Sequence, residues 1–135
     1  MDKSIAKIEE LGFRKIGRWF LKDGRLDLEI FTDSKKTNFL YAFVTVNYVG
    51  YIGKSTKTVK QRLDQYKKPG PSQKTNLRVN GLILALLSRS ETIDIYVLEE
   101  KKDLYYGKYK LNLPAGLEDP LIFDLKPAWN KTGKK

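Results

Sequence analysis

Hydrophobic positions along the chain change period repeatedly, and each change marks an element. Ile5 and Ile8 set a helical step within Ser4 to Leu11. Phe13 to Ile30 then reads as a hairpin, GFRKIGRWFL and RLDLEI around the turn Lys22-Asp23-Gly24. Asp-Gly between alternating runs is a strong hairpin signal. Asp33 to Thr37 is a polar connector, and Phe39 to Val46, FLYAFVTV, is the most strand-like run in the chain. Asn47-Tyr48 turns it back into a strand from Val49 to Gly53, which sets Tyr41 and Tyr51 on neighbouring strands.

The period then becomes helical. Thr56 is positioned to cap a helix reaching Tyr66, with Val59, Leu63 and Tyr66 on its inner face. After the loop KKPGPSQKT, Asn76 is positioned to cap a second helix to Ser88, with the stripe Leu77, Leu82, Ile83, Leu86 and Leu87. Thr92 to Leu98, TIDIYVL, alternates as a strand. Glu99 to Lys110 is charged and aromatic and predicts no element. Ala115 to Leu125 is a final helix, followed by the tail KPAWNKTGKK. There is no internal repeat and no linker. Strands and helices mix without βαβ regularity, so the class is α+β.

Composition narrows the chemistry. The 135 residues include no cysteine and no histidine. Thiolate sites, disulfides and the commonest general base are therefore absent, and a bound metal must be a hard cation held by oxygen. No apolar run resembles a signal peptide or approaches the roughly 20 residues of a membrane span, which gives the expectation of a soluble cytoplasmic protein. The formal net charge is +10. From Lys54 to Arg78 lie eight basic residues, Lys54, Lys57, Lys60, Arg62, Lys67, Lys68, Lys74 and Arg78, against one acid, Asp64. A solvated helix face is one reading of this window. Its clustering favours the other, a surface that faces phosphate.

Three positions inside this framework invite chemistry. Gly53 and Lys54 lie at a strand-to-helix turn, where glycine permits close backbone approach or positive φ and the cation attracts an anion. Arg62 precedes Tyr66 by one helical turn, either as a snorkelling surface residue or as a guanidinium fixed at a cleft edge. Glu118 sits on or beside the apolar stripe Leu117, Leu121, Ile122 and Leu125. A carboxylate there is salt-bridged, metal-bound or protonated, because leaving it charged and dry is costly.

The order of these residues resembles the GIY-YIG nuclease superfamily. FLY at Phe39 to Tyr41, YIG at Tyr51 to Gly53, then Arg62, Glu118 and Asn130 carry the resemblance, which runs from Asn38 to Gly133. It is closest to small stand-alone bacterial members, through GPSQKTN at Gly70 to Asn76 and the Gly116 to Gly133 ending. Two departures stand out. FLY replaces GIY, so only its tyrosine carries over, and Tyr66 stands where some members have histidine.

The resemblance implies a small mixed, largely antiparallel sheet flanked by helices, spanning residues 38–135. Residues 1–37 lie outside it as a helix-hairpin extension, which adds a DNA contact, forms a dimer surface or, by default, covers a sheet edge. It implies a DNA endonuclease using one Mg2+ (or Mn2+) per site on Glu118, with RNA left open as a substrate and a homodimer compatible with double-strand cutting. Tyr41, Tyr51, Lys54, Arg62, Glu118 and Asn130 would converge as the catalytic set, with Tyr66 beside them. Tyr41 is the leading general base, with Lys54 as the neighbouring cation that lowers its pKa. Lys57, Lys60, Lys67, Lys68, Lys74 and Arg78 would track the nucleic-acid backbone. The rival classes are a catalytically inactive nucleic-acid-binding module and a protein-interaction domain with an incidental positive surface.

Overall fold

A computed structural model describes residues 2–32, 35–99 and 103–131. Asp33 and Ser34 of the connector and residues 132–135 of the tail lie outside the described residues. The elements are α1 (Ser4–Leu11), β1 (Arg14–Lys22), β2 (Arg25–Ile30), β3 (Phe39–Val44), β4 (Val49–Ser55), α2 (Val59–Lys67), α3 (Lys74–Ser88), β5 (Ile93–Glu99), β6 (Leu104–Tyr106), β7 (Tyr109–Leu111) and α4 (Leu113–Leu125).

The α+β expectation holds. The main sheet has the order β2-β1-β5-β3-β4, and each of its pairings is antiparallel, so the expected mixed character is absent among the described strands. β3 is buried at all six positions and β5 lies at the centre, which is why FLYAFV is continuously apolar: both of its faces are covered. β1 pairs with β5 and closes what would otherwise be an open edge. The turn between β1 and β2 uses Asp23 and Gly24, both at positive φ, as an Asp-Gly hairpin requires.

Two apolar layers sandwich the sheet. One face carries Trp19, Phe39, Tyr41, Phe43, Tyr51, Ile93 and Ile95 under α2 and α3. The other carries Leu40, Ala42, Val44, Ile52, Tyr96 and Leu98 under α1 and α4. Successive residues of β3 alternate between these layers, as do Tyr51 and Ile52 of β4, as the period of a strand demands.

Several boundaries differ from expectation, for local reasons. The cap of α2 is Thr58, not Thr56. Gln61 stands three residues after Thr58, and the two exchange hydrogen bonds as a capping box. α3 begins at Lys74 behind Gln73, so Asn76 lies inside the helix and is not its cap. Its buried stripe is Asn76, Val79, Ile83 and Leu86, which leaves Leu77 exposed. The segment that predicted no element contains the β6–β7 hairpin, whose side chains, Tyr105, Tyr106 and Tyr109 among them, face outward. Having no buried face, it imposes no periodicity on the sequence.

Candidate active site

β4 is an edge strand of the sheet, and its two glycines receive aromatic rings. A Cβ on Gly53 would lie 2.5 Å from the Tyr41 hydroxyl oxygen, and one on Gly50 would lie 2.7 Å from the Trp129 ring. Gly53 is therefore required by close approach, and its φ is not in the left-handed region. Gly50 falls where the β3–β4 register slips between Phe43 and Val44, opposite no partner of its own.

Above Gly53, three phenols meet. Tyr41 and Tyr66 are 1% and 0% exposed, and their hydroxyls lie 2.7 Å apart. Tyr51 is 8% exposed, with its ring centre 6.2 Å from that of Tyr41 and 6.3 Å from that of Tyr66. Arg62 leans over this group. Its guanidinium carbon lies 4.5 Å from the Tyr66 ring centre and 5.6 Å from that of Tyr41. Its Nη2 donates to the Tyr66 hydroxyl at 2.9 Å and to Asn76 Oδ1 at 3.2 Å, and its Nη1 donates to Gln65 Oε1 at 2.8 Å.

Every one of these acceptors is neutral, and among the described residues no carboxylate pairs with Arg62. Guanidinium has five N–H donors, so a pocket that engages three of them leaves two for an anion. The positive charge also stays uncancelled. Of the two sequence readings of Arg62, the fixed guanidinium is the one observed.

Electrostatics argue against Tyr41 as a phenolate base. Burial, with Tyr51 beside it, pushes its pKa well above the ordinary phenol value, and Arg62 recovers only part of the shift. Tyr66 is raised further, again mainly by burial and then by its phenol neighbours. Both therefore stay protonated at neutral pH and work as hydrogen-bonding groups. The expected cation, Lys54, is not beside Tyr41. It follows Ile52 by two residues on β4, which places it on the α4 face.

Glu118 belongs to that same face. α4 packs on β4 and β3 through Leu117, Leu121, Ile122 and Leu125. Glu118 is half-buried beside this stripe, as its spacing predicts. Desolvation raises its pKa, Lys54 opposes the shift, and Asp119 adds to it. Among the described residues it has no ion pair. The single expected cluster is thus two half-sites. Tyr41, Tyr51, Tyr66 and Arg62 occupy one face of the sheet, Lys54 and Glu118 the other, and β4 is shared between them.

Asn130 joins the assembly from outside. Its side chain accepts from the Ile52 N–H at 2.9 Å and donates to the Ile52 carbonyl at 2.9 Å, while the Trp129 N–H donates to the Gly50 carbonyl at 2.8 Å. The tail thus covers the edge of β4 at Gly50 and Ile52. By alternation, the next outward-facing backbone pair is at Lys54, beyond this cover.

The remaining basic residues divide into two groups. Lys60 and Lys67 pair with Asp64, and Lys67 also with Asp27, while Arg78 donates to the Trp129 carbonyl at 2.6 Å. Lys57, Lys68 and Lys74 have no salt-bridge partner among the described residues. Gln65, Gln73 and Asn76 were not anticipated around Arg62. A polar residue at a core-facing helical position is the available signal, but an asparagine this close to a helix start also suits a cap.

Two solved endonuclease structures share this fold. EndoII of bacteriophage T4, solved as a mutant, aligns with 21% identity and a TM-score of 0.72 over 93% of this chain and 97% of that one. The restriction endonuclease HPY188I, solved with product DNA, aligns with 16% identity and a TM-score of 0.52 over 92% and 84% of the two chains. No family model and no curated protein matches the sequence.

Proposed function

We propose that the chain is a divalent-metal-dependent endonuclease that hydrolyses DNA phosphodiester bonds. The observation that carries this reading is Arg62, held by neutral acceptors beside three tyrosines with N–H donors to spare. A phosphodiester is the ligand such a group suits: monoanionic, rich in acceptors, and bearing more charge in the transition state than in the ground state.

Substrate lies across the part of β4 beyond Ile52, within reach of both half-sites. Arg62 neutralises charge building on the phosphate oxygens from one face. Tyr51, the least buried of the three phenols, orients the attacking water. Tyr41 and Tyr66 remain protonated and hold Arg62 and each other in place. Water adds to phosphorus in line with the leaving oxygen, whose bond to phosphorus breaks; the proton lost by the nucleophile passes to solvent, and the leaving oxygen takes one up from solvent.

From the other face, Glu118 suits a hard cation. It is a half-buried carboxylate without an ion pair among the described residues, in a chain that has no histidine or cysteine to offer. Magnesium or manganese fits such a site, with water completing the shell. When bound, the ion supplies polarisation of the phosphate and stabilises the leaving oxygen. Lys54 lowers the cost of ionising Glu118 and adds positive potential at the same strand. Lys57, Lys68 and Lys74 contribute affinity without reading sequence.

The test is nicking of supercoiled plasmid in magnesium by the parent, Glu118→Ala and Arg62→Ala. Cleavage by the parent alone supports the reading. Equal rates in all three remove it.

A further inference from the structure

Among the described residues, Arg62 has one hydrogen-bond partner outside its own helix. Gln65 and Tyr66 lie on α2 with it and move when α2 moves. Asn76 lies on α3, is 7% exposed, and meets Arg62 across the interhelical joint. Its other amide atom is also engaged: Nδ2 donates to Gln73 Oε1 at 3.2 Å. Gln73 Oε1 in turn accepts the Gly70 N–H at 2.8 Å, and the Gln73 N–H donates to the Gly70 carbonyl at 3.0 Å. A continuous path therefore runs from the GPSQKTN loop through two carboxamides to the guanidinium, and on through Tyr66 to Tyr41. α2 and α3 are further locked where Asn80 donates to the Tyr66 carbonyl at 2.7 Å.

We propose that Gln73 and Asn76 form a positioning relay that sets the orientation of Arg62 from the loop between α2 and α3, and that the relay must be uncharged. This rests on the endonuclease reading for its consequence in catalysis, but not for its geometry. The chemistry of the acceptor is the point. A carboxylate at residue 76 would hold Arg62 at least as firmly as the carboxamide does, yet would cancel the charge the phosphate needs. A carboxamide fixes direction and leaves the charge intact. Asn76 thus resolves a conflict that faces any arginine held in place to receive an anion: a partner strong enough to hold it competes with the ligand it is meant to bind.

The experiment uses the full chain and compares Asn76→Ala, Asn76→Asp, Arg62→Ala and the double variant Arg62→Ala/Asn76→Ala in plasmid nicking. Asn76→Ala is expected to lower kcat about tenfold or more with little change in KM, and the double variant to be no slower than Arg62→Ala alone, because the two residues act as one unit. Asn76→Asp is expected to keep the parent Tm while losing kcat at least as severely as Asn76→Ala. Full activity in Asn76→Asp, or multiplicative losses in the double variant, overturns the relay. A second readout is independent of cleavage: the NMR signal of the Arg62 side-chain Nε–H. The relay predicts that it broadens or shifts in Asn76→Ala and in Gln73→Ala but not in Lys74→Ala. An unchanged signal in the first two overturns the proposal even if the parent proves not to be a nuclease, whereas a changed signal with an inactive parent supports the relay and rejects only the endonuclease reading.

Discussion

The two faces of the sheet meet the same outer strand in different ways. Under α2 and α3, polar groups beside β4 bond to one another: Tyr41 phenol to Tyr66 phenol, Arg62 guanidinium to Tyr66 phenol, and Arg62 guanidinium to Asn76 carboxamide. Under α4, Glu118 is half-desolvated with no ion pair among the described residues, and Lys54 is the only cation that eases its charge. One face orders its polar groups through the protein's own hydrogen bonds. The other leaves a half-buried carboxylate that the protein does not pair among the described residues. On the endonuclease reading proposed above, the first half would be set by folding and the second would depend on an added cation.

The largest expected effect comes from removing either half. Arg62→Ala and Glu118→Ala should each lower kcat by about 10² to 10³, the usual cost of deleting a preorganised group at a developing charge. They differ in metal response. Magnesium should raise the Tm of Arg62→Ala as it does the parent's, and should leave Glu118→Ala unmoved. If magnesium stabilises both variants alike, the ion binds elsewhere.

Next in size is Gly53→Val, which sets side-chain carbons against the Tyr41 ring. Overpacking of this kind costs about 1–3 kcal/mol, and denaturant unfolding measures it. Tyr66→Phe follows at about 1–2 kcal/mol, because it leaves the Tyr41 hydroxyl and one Arg62 N–H short of a partner. It should also flatten the alkaline limb of stability. The buried phenols have folded pKa values above their unfolded ones. Their contribution is thus complete below about pH 10, the ordinary phenol value, and is lost as pH rises beyond it.

Glu118→Gln gives a smaller effect of opposite sign. The folded pKa of Glu118 is raised, so its contribution is present at acid pH and lost as pH climbs through the folded value. Without metal, the glutamine variant should melt slightly above the parent at neutral pH and level with it at acid pH. A lower Tm at neutral pH would show that Glu118 has a stabilising partner after all. The smallest effect is expected from Lys57→Ala, Lys68→Ala and Lys74→Ala. Each should reduce the slope of log affinity for duplex DNA against log salt by about one, with little change in kcat.

The elements were largely legible because each is locally determined. Asp23-Gly24 announces its hairpin, and Val59, Leu63 and Tyr66 announce the inner face of α2. What sequence did not convey was relational. β5 is the eighth element in chain order, after α1, β1, β2, β3, β4, α2 and α3, yet it lies at the centre of the sheet, through pairings far apart along the chain. The half-buried state of Glu118 was readable from its place beside Leu121. That it lies across the sheet from Arg62 was not, because helix periodicity says which side is inward but not which layer it enters. Asn76 was misread for a related reason: an asparagine near a helix start serves as a cap or as a buried anchor, and only its tertiary neighbour distinguishes the two.

Asn130 has a consequence beyond its own contacts. By offering Ile52 one acceptor and one donor, its carboxamide imitates the backbone of a neighbouring strand for the length of a single residue. It acts as a stopper: it ends the ladder and denies that spot to a strand from another molecule. Losing the stopper should thus announce itself first as self-association, before any failure of the fold.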